Sequence, residues 1–485
     1  MTLPFPRHAT IASLWLAAAM AFAQEHGVAE RLYLSGDRAY AARSFAEALE
    51  SWNQVLQQEP RSPYAARALY RIARHHADEG RPQQALPLIE KLKSEHLSSP
   101  WAGEGMLLRG SLLAQAARRP QDLREAMGEY HRVLDLFPDL PSAPEAHARL
   151  GQAWKDQGSW GRALHHFLEA SRLDPRSLVG LQATLQAAEL LDLTGDLQGC
   201  LRMLQRVRDL GPGTALAEEA GWRLAVRIRH RLLRGPLRSE GPWPGGRTKW
   251  LKTPTLLATG PKGELFIYQD DLDRAAELRG DQLVPVGPTG RNAKAMVAGP
   301  AGSPWLVLSK QPVLRDEGVL GTAGPAAPGG AFMDRWGTLW LSDAKNPSLL
   351  LVAPDGSSRS IPSPTAVALA PLPGGAAVLA SDSNRSLHFI NAQGQPQLTV
   401  PYGKDLSGPF RSVLSLCSDP LGHIAAIVDG GDFEGVVLWG PDGQVLRSAT
   451  WKSLGISGKF RAIALDRAGG ILLADRSNDL LVRLI

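Results

Sequence analysis

The stretch PEAHARLGQAWKDQGSWGRALHHFLEASRLDP, residues 144–175, decides the fold of the N-terminal half. Its small residue Ala163 is followed one helical turn later by the large residue Phe167, and Pro175 comes twelve residues after Ala163. A small residue lets two helices approach closely, the large residue fills the gap, and the proline ends the second helix. Gly158, five residues before Ala163, permits the turn between the helices. The stretch therefore predicts a helical hairpin.

The same spacing recurs along the first 234 residues. Three more small residues are followed by a large residue after four positions and by a proline after twelve: Ala48, Trp52 and Pro60; Ala126, Tyr130 and Pro138; Cys200, Leu204 and Pro212. Another copy, residues 66–100, has Ala85 and Ile89 in these places and its proline later, at Pro100. The copies predict about five helical repeats, and residues 214–234 predict a lone closing helix.

This pattern resembles the tetratricopeptide repeat. The copy in 144–175 carries the most signature residues, namely Leu150, Gly151, Trp154, Gly158, Trp160, Ala163, Phe167, Ala170 and Pro175. The resemblance implies a right-handed superhelix whose first helices line a concave groove for a protein or peptide. It implies that the following residues face the groove: Tyr33, Asp37, Tyr40, Tyr70, Arg74, Gln152, Lys155 and Asp156. Asp37 stands where the family's clamp for peptide C-termini needs Asn, so that specificity is not expected here.

From Trp250 onward the apolar segments are short and rich in strand-forming residues, and they recur every 35–47 residues. A glycine precedes each core by a few residues, and an aspartate follows five of them. Asx side chains bind backbone N–H groups and close tight hairpins. The six cores are 265–268, 305–308, 339–341, 377–379, 424–428 and 471–473.

Six small sheets at this spacing predict a β-propeller. The last unit, DRAGGILLADRSN at 466–478, resembles the NHL repeat. The predicted fold class is therefore α + β multidomain: an all-α tetratricopeptide superhelix followed by an all-β six-bladed β-propeller. The last blade is one strand short at Ile485, and Arg247–Lys252 is predicted to supply the missing strand and so remove an exposed sheet edge.

The first 23 residues have the features of a cleavable export signal. Arg7 gives a positive start, Ile11–Phe22 is an apolar run too short to span a bilayer, and Ala21 and Ala23 form a small-residue cleavage site. The mature chain would begin at Gln24 and lie outside the cytoplasm, with the periplasm as the expected compartment. No cysteine follows the site, so no lipid anchor is expected, and no later run predicts a transmembrane segment.

The predicted domain boundaries follow from these patterns. A helical repeat domain covers 24–234, and the propeller covers 247–485. Between them, residues 235–246 (GPLRSEGPWPGG) are rich in glycine and proline and have no helical or strand period, which predicts a linker.

The sequence contains no catalytic motif that we can identify. It has no G-x-S-x-G, no H-E-x-x-H and no phosphate-binding loop, and it indicates no cofactor and no metal site. His165 and Glu169 share a helix face, which is more typical of a solvated surface than of a metal site. The net charge of +5 on 485 residues argues against a dedicated nucleic-acid-binding protein.

The closing helix is locally basic. Arg227, Arg231 and Arg234 are spaced i, i+4, i+7 and so share one helix face. Such a basic patch could contact an anionic lipid, a polysaccharide or the propeller, or could simply be solvated.

These observations predict an exported, non-catalytic protein–protein interaction scaffold of the cell envelope. The helical groove would bind a protein or peptide, and the propeller rim would bind a second partner or ligand. The alternative is a propeller-based enzyme, of lyase or hydrolase type, that uses the helical domain for targeting. A purely structural envelope component is a third possibility. Several histidines or carboxylates in the propeller's central funnel would favour the enzyme.

Overall fold

The computed structural model describes residues 27–232, 235–243, 251–260, 263–300, 302–316, 318–321, 323–406 and 408–485. The predicted signal peptide and Arg234 lie outside these ranges. By packing, the chain divides into two compact units. The first comprises residues up to Ala153 together with His165–Pro175, and the second comprises Trp154–Leu164 and Arg176–Ile485. The last helices of the repeat region therefore pack with the strands.

The N-terminal region is entirely helical, as the repeat spacing predicts. Ser62 caps one helix, because its Oγ accepts a hydrogen bond from the amide of Ala65 at 3.2 Å, and Pro63 occupies the first helical position. The helices are α1 (27–41), α2 (Phe45–Gln58), α3 (Pro63–Asp78), α4 (Pro82–Glu95), α5 (Pro100–Ala116), α6 (Arg124–Leu136), α7 (Ala143–Asp156), α8 (Trp160–Leu173), α9 (Leu178–Leu193), α10 (Leu197–Leu210) and α11 (Ala215–Arg227), which continues as a π turn, Ile228–Leu232.

Three of the helical hairpins pack a glycine of the first helix against an aromatic ring of the second. Three such pairs are Gly36 with Trp52, Gly110 with Tyr130, and Gly151 with Phe167. A Cβ added to Gly110 would lie 2.5 Å from Cε1 of Tyr130, whose side chain is only 1% exposed. The close approach of the two helices therefore requires the absence of a side chain at these positions.

We predict that Gly110→Ala destabilises the protein by about 1–3 kcal/mol, because the new methyl group overpacks Tyr130. Gly128→Ala on α6 is the matched control, since a Cβ there meets nothing within 4 Å. Removing a helical glycine at that open position should raise stability by up to about 1 kcal/mol. Chemical denaturation of both variants measures the difference. Equal stability of the two would contradict this packing.

The C-terminal region forms six four-stranded antiparallel sheets, which are the blades of a propeller. The innermost strands lie side by side in blade order, and that of blade 6 lies against that of blade 1 again. The ring is therefore closed. The strands of blades 1 to 3, each blade from its innermost strand outward, are β2 (Pro254–Thr259), β3 (Leu265–Gln269), β4 (Arg274–Arg279), β5 (Gln282–Thr289); β6 (Ala295–Ala298), β7 (Pro304–Val307), β8 (Val313–Arg315), β9 (Gly318–Leu320); β10 (Pro328–Met333), β11 (Leu339–Asp343), β12 (Ser348–Val352) and β13 (Ser358–Pro362).

Blades 4 to 6 repeat the same arrangement. Their strands are β14 (Ala368–Pro371), β15 (Ala377–Ser381), β16 (Ser386–Ile390), β17 (Pro396–Pro401); β18 (Phe410–Ser418), β19 (Ile424–Gly431), β20 (Gly435–Trp439), β21 (Val445–Thr450); β22 (Phe460–Leu465), β23 (Ile471–Asp475), β24 (Leu480–Leu484) and, at the edge of blade 6, β1 (Ser239–Trp243). The second strand of each blade contains one of the six apolar cores found in the sequence.

Two of the aspartates after these cores, Asp343 and Asp475, close their hairpins in the way the spacing predicts. Asp475 accepts hydrogen bonds from the amide of Ser477 at 2.9 Å and from Nδ2 of Asn478 at 2.7 Å. Asp343 binds Asn346 in the same manner, with Nδ2 at 2.8 Å. In these two blades the aspartate therefore fixes the turn between the second and third strands. Asp382, after the core of blade 4, instead accepts hydrogen bonds from the Tyr402 hydroxyl and the amide of Val413.

The ring closes through a different segment from the one predicted. Ser239–Trp243 pairs antiparallel with Leu480–Leu484, so the prediction that Arg247–Lys252 is the closing strand is wrong. The linker predicted at 235–246 is likewise in part a strand. The segment lacks an apolar period because an edge strand needs chiefly its backbone groups, and it tolerates proline at an edge. Its register shifts next to Gly241, which has a φ of 85° and forms a bulge.

Candidate functional site

A cleft of about 240 Å³ opens on the first unit between α3, α5 and α7, the first helices of three successive repeats. Its walls are mostly polar, over an apolar floor that includes Leu107 and Leu112. We call it the groove cleft. The polar residues that line it are Tyr70, Arg74, Asp78, Glu104, Ser111, Gln115, Glu145 and Arg149.

Two arginines of the groove cleft pair with carboxylates on their own helices. Arg74 Nε donates to Asp78 Oδ1 at 3.0 Å and to Oδ2 at 3.2 Å, and Arg149 Nη2 donates to Glu145 Oε1 at 3.0 Å. All four side chains are more than a third exposed. Exposed ion pairs of this kind contribute about 0–1 kcal/mol to stability. A carboxylate of a ligand can therefore replace the protein carboxylate at either guanidinium group with little loss of stability.

A more buried carboxyl group lies deeper in the groove cleft. Glu104 Oε1 accepts a hydrogen bond from Ser142 Oγ at 2.7 Å, and burial raises the pKa of Glu104 above its ordinary value. Burial also raises the pKa of the Tyr70 hydroxyl beside it. The groove cleft thus combines the partly buried carboxyl group of Glu104 and the phenol of Tyr70 with two guanidinium groups whose ion pairs a ligand can replace. This mixture suits a polar ligand with both donors and acceptors.

Of the residues expected in the groove, Tyr70 and Arg74 line the groove cleft. Tyr33 and Asp37 lie elsewhere on the first unit, where Arg71 joins them: its Nε lies 3.3 Å from the Tyr33 hydroxyl and 3.5 Å from Asp37 Oδ1. Tyr33 is only 4% exposed, so its ring belongs to the packing between helices.

Tyr40 is likewise engaged in packing. Its ring centroid lies 5.1 Å from Phe45, 5.5 Å from Trp52 and 5.8 Å from His75. Tyr40 therefore contributes to an aromatic cluster around the first hairpin. Gln152 is half-buried on α7.

Lys155 and Asp156 do not project freely into a groove, contrary to expectation. Lys155 is buried in the second unit, where its Nζ donates to Glu189 Oε1 at 2.6 Å and to Gln186 Oε1 at 2.8 Å. Asp156 is also buried and pairs with Arg335 in a turn of blade 3. Both charges are therefore already neutralised by partners distant in sequence.

Six further polar residues of the groove cleft were missed in the sequence: Asp78, Glu104, Ser111, Gln115, Glu145 and Arg149. A usable signal existed, because Glu104 and Glu145 each stand six residues before the glycine that contacts an aromatic ring, Gly110 or Gly151. The two carboxylates thus occupy the same position in successive repeats.

The predicted basic patch is not a surface patch. Arg227 is only 1% exposed, and its Nε donates to Asp192 Oδ2 at 2.8 Å. Arg231 Nη1 donates to the other oxygen of Asp192 at 2.6 Å, and its Nη2 lies 3.6 Å from Asp442 Oδ2 in blade 5. Of the partners considered for this helix, the propeller is the one it contacts.

Two histidines are buried where the π turn after α11 meets the propeller. The rings of His230 and His423 lie 5.2 Å apart between centroids, and His423 Nδ1 lies 2.8 Å from Asp419 Oδ2. Among the residues that the structure describes, neither ring nitrogen of His230 has a hydrogen-bond partner. Burial, together with His423 and the nearby Arg447, lowers the pKa of His230 to about 4.

We predict that this contact makes the second unit acid-sensitive. Between pH 6.5 and about 4, the unfolded chain binds a proton at His230 that the folded chain does not, so the free energy of unfolding falls as the pH falls through this window. His230→Leu removes that proton and should flatten the dependence of Tm on pH. His165→Leu, at an exposed histidine, is the control. An unchanged slope in His230→Leu would refute the assignment.

The propeller's central funnel is lined by its inner strands and encloses about 190 Å³. Among the described lining residues, the ionisable side chains are Lys294, Arg461 and Cys417, and burial raises the pKa of the Cys417 thiol. Within the described ranges, no three histidine, cysteine or carboxylate side chains are arranged to hold a metal ion. The described lining thus contains no histidine–carboxylate pair for acid–base chemistry.

Comparison with known proteins agrees with this architecture. Residues 33–96 and 111–177 match the tetratricopeptide repeat family. No curated protein matches the sequence. None of the helices in the described part of the chain has the length and apolar character needed to cross a membrane. The N-terminal region thus consists of tetratricopeptide-like repeats, and a six-bladed β-propeller follows it.

Solved structures resemble one region or the other. Virginiamycin B lyase from Staphylococcus aureus is 13% identical, covers 51% of this chain and 98% of its own, and has a TM-score of 0.36. MamA is 15% identical, covering 38% of this chain and 91% of its own, with a TM-score of 0.30. YrrB, a tetratricopeptide protein with an unusual peptide-binding site, is 18% identical, covering 42% and 96%, with a TM-score of 0.30.

Proposed function

We propose that the protein is a non-catalytic interaction scaffold of the cell envelope, in which the groove cleft binds a polar peptide segment and the propeller binds a second partner. The observation that supports this most is the groove cleft itself. Three successive repeats contribute its polar groups, and tetratricopeptide repeats commonly bind peptides on the face formed by their first helices.

The chemistry of the groove cleft favours an extended peptide over a small apolar ligand. An extended peptide presents backbone donors and acceptors along its length, and the walls offer hydroxyl, amide, guanidinium and carboxylate groups for them. Arg74 and Arg149 would bind acidic side chains or a C-terminal carboxylate of the ligand. Glu104 would favour a basic side chain. We therefore propose a ligand segment of mixed charge.

A binding role for the propeller is supported by the composition of its funnel. The lining is dominated by apolar side chains and backbone, with Lys294 and Arg461 as its cations. A wider space of about 540 Å³ lies at one mouth, between turns of several blades and Glu189 of α9. These surfaces provide shape and charge for recognition. The alternative is a lyase or hydrolase, whose acid–base groups would have to come from Lys294 in the funnel or from Asp334 and Asp419 in the wider space.

We predict that the peptide interaction depends on the cleft arginines. Peptides selected from a random display library on the full-length protein should bind with affinities measurable by fluorescence anisotropy. Arg149→Glu and Arg74→Glu should each weaken binding at least tenfold. In each variant the new glutamate repels the acidic group of the peptide that the arginine would have bound as an ion pair. Arg124→Glu, at an exposed site on α6, should leave affinity unchanged. Selected peptides that bind all three variants equally would exclude the groove cleft.

The envelope location is part of the proposal and has its own test. The export signal at 1–23 predicts cleavage after Ala23. The protein recovered from the periplasmic fraction should therefore begin at Gln24 by N-terminal sequencing. Recovery of a chain that retains Met1, or of cytoplasmic protein alone, would refute the location and leave the peptide-binding proposal standing.

A further inference from the structure

Four of the protein's twelve histidines lie together on the first unit. They come from three consecutive helices: His131 from α6, His147 from α7, and His165 and His166 from α8. The ring of His166 is central, with centroids of His131, His147 and His165 at 6.0, 5.3 and 5.3 Å. We call this group the histidine cluster. None of these four histidines lines the groove cleft, and the proposed peptide binding does not use them.

Two nitrogens of the histidine cluster already face each other. His147 Nδ1 and His166 Nδ1 are 3.1 Å apart. Zinc–imidazole bonds are about 2.0–2.1 Å long, so two such ligands at angles of about 90–110° have their nitrogens about 2.9–3.4 Å apart. The observed separation falls in that range. The two nitrogens are thus spaced as two ligands of one metal ion would be. Without a metal ion, they share a hydrogen bond.

Both of these histidines are partly buried, and a neutral imidazole binds a metal ion through the lone pair of a ring nitrogen. Glu169, one turn beyond His165, adds a carboxylate beside the histidine cluster, where it pairs with Arg172 at 3.0 Å between Oε2 and Nε.

The remaining histidines can complete a coordination sphere by turning. His165 is exposed and His131 is partly exposed, so their side chains can change rotamer without disturbing the core. This movement is required, because no three donors in the described ranges are already placed as metal ligands. An all-imidazole set suits late first-row divalent ions, with zinc, nickel and copper favoured over magnesium or calcium.

We propose that the histidine cluster binds one late first-row divalent metal ion such as Zn²⁺, with His147 and His166 as the ligands already in place and His131 and His165 as ligands that turn inward. Because the ligands come from α6, α7 and α8, the ion would join the third and fourth repeats. Metal binding would thereby stabilise that part of the first unit.

The test uses the full-length protein without an affinity tag, freed of metal by a chelator and titrated with ZnCl₂ in a calorimeter at pH 7. One equivalent should bind, and Tm should rise. His147→Ala and His166→Ala should each weaken zinc binding at least tenfold. His165→Ala tests the same site at an exposed position where folding is not at risk, and it should also weaken binding. His96→Ala, at the end of α4, should bind zinc as the unaltered protein does.

A second readout reports the ligands directly. Co²⁺ bound in place of Zn²⁺ should give a visible ligand-field spectrum of nitrogen coordination, which His147→Ala and His166→Ala should remove. Zinc affinity should also fall as the pH is lowered, because protons compete with the metal ion for the imidazole nitrogens. Absence of saturable one-to-one binding, or zinc affinity unchanged in all three cluster variants, would overturn the proposal and leave an imidazole–imidazole hydrogen bond as the role of the pair.

Discussion

Closure of the propeller by β1 is the constraint on which the arrangement of the second unit depends. Backbone pairing of Ser239–Trp243 with Leu480–Leu484 completes blade 6, and Arg483 adds an ion pair to Glu240 at 2.7 Å. Because β1 follows the π turn at Ile228–Leu232 after only a short segment, closing the ring also fixes where the last helix can lie. An open ring would leave a sheet edge exposed and the helix untethered.

Contacts of the short segment between the π turn and β1 attach it to the propeller. Arg447 of blade 5 donates to the carbonyls of Gly235 at 2.9 Å and Pro236 at 2.8 Å, so the chain between helix and strand is bound to the propeller. On the helix side, Asp192 joins α9 to α11 through Arg227 and Arg231. Arg227 and Arg231, which the sequence offers as a patch for an anionic lipid, a polysaccharide or the propeller, therefore serve internal structure. The groove cleft, in the first unit, keeps its charges in weak exposed pairs that a ligand can displace.

The sequence predicts the features that repeat and misses those that depend on one particular contact. Helices and blades recur with fixed spacing, so glycines such as Gly110 and turn residues such as Asp475 are recognisable from position alone. Lys155 fills a groove position of its repeat, yet its partner Glu189 lies in the next repeat, and the neighbouring Asp156 pairs with the propeller residue Arg335. No local pattern shows such pairings. The closing strand was missed for a similar reason: its place is set by an unpaired edge far along the chain. Glu104 and Glu145 were within reach, since they share one position in successive repeats.

The most direct test of this account is amide hydrogen exchange across blade 6 in the full-length protein, read by mass spectrometry. If β1 closes the ring, peptides that cover 239–243 and 480–485 should exchange slowly, with protection close to that of Ile471–Asp475 in the same sheet. Exchange of 239–243 at the rate of an unstructured linker, while Ile471–Asp475 stays protected, would contradict the closure and with it the docking of the last helices on the propeller.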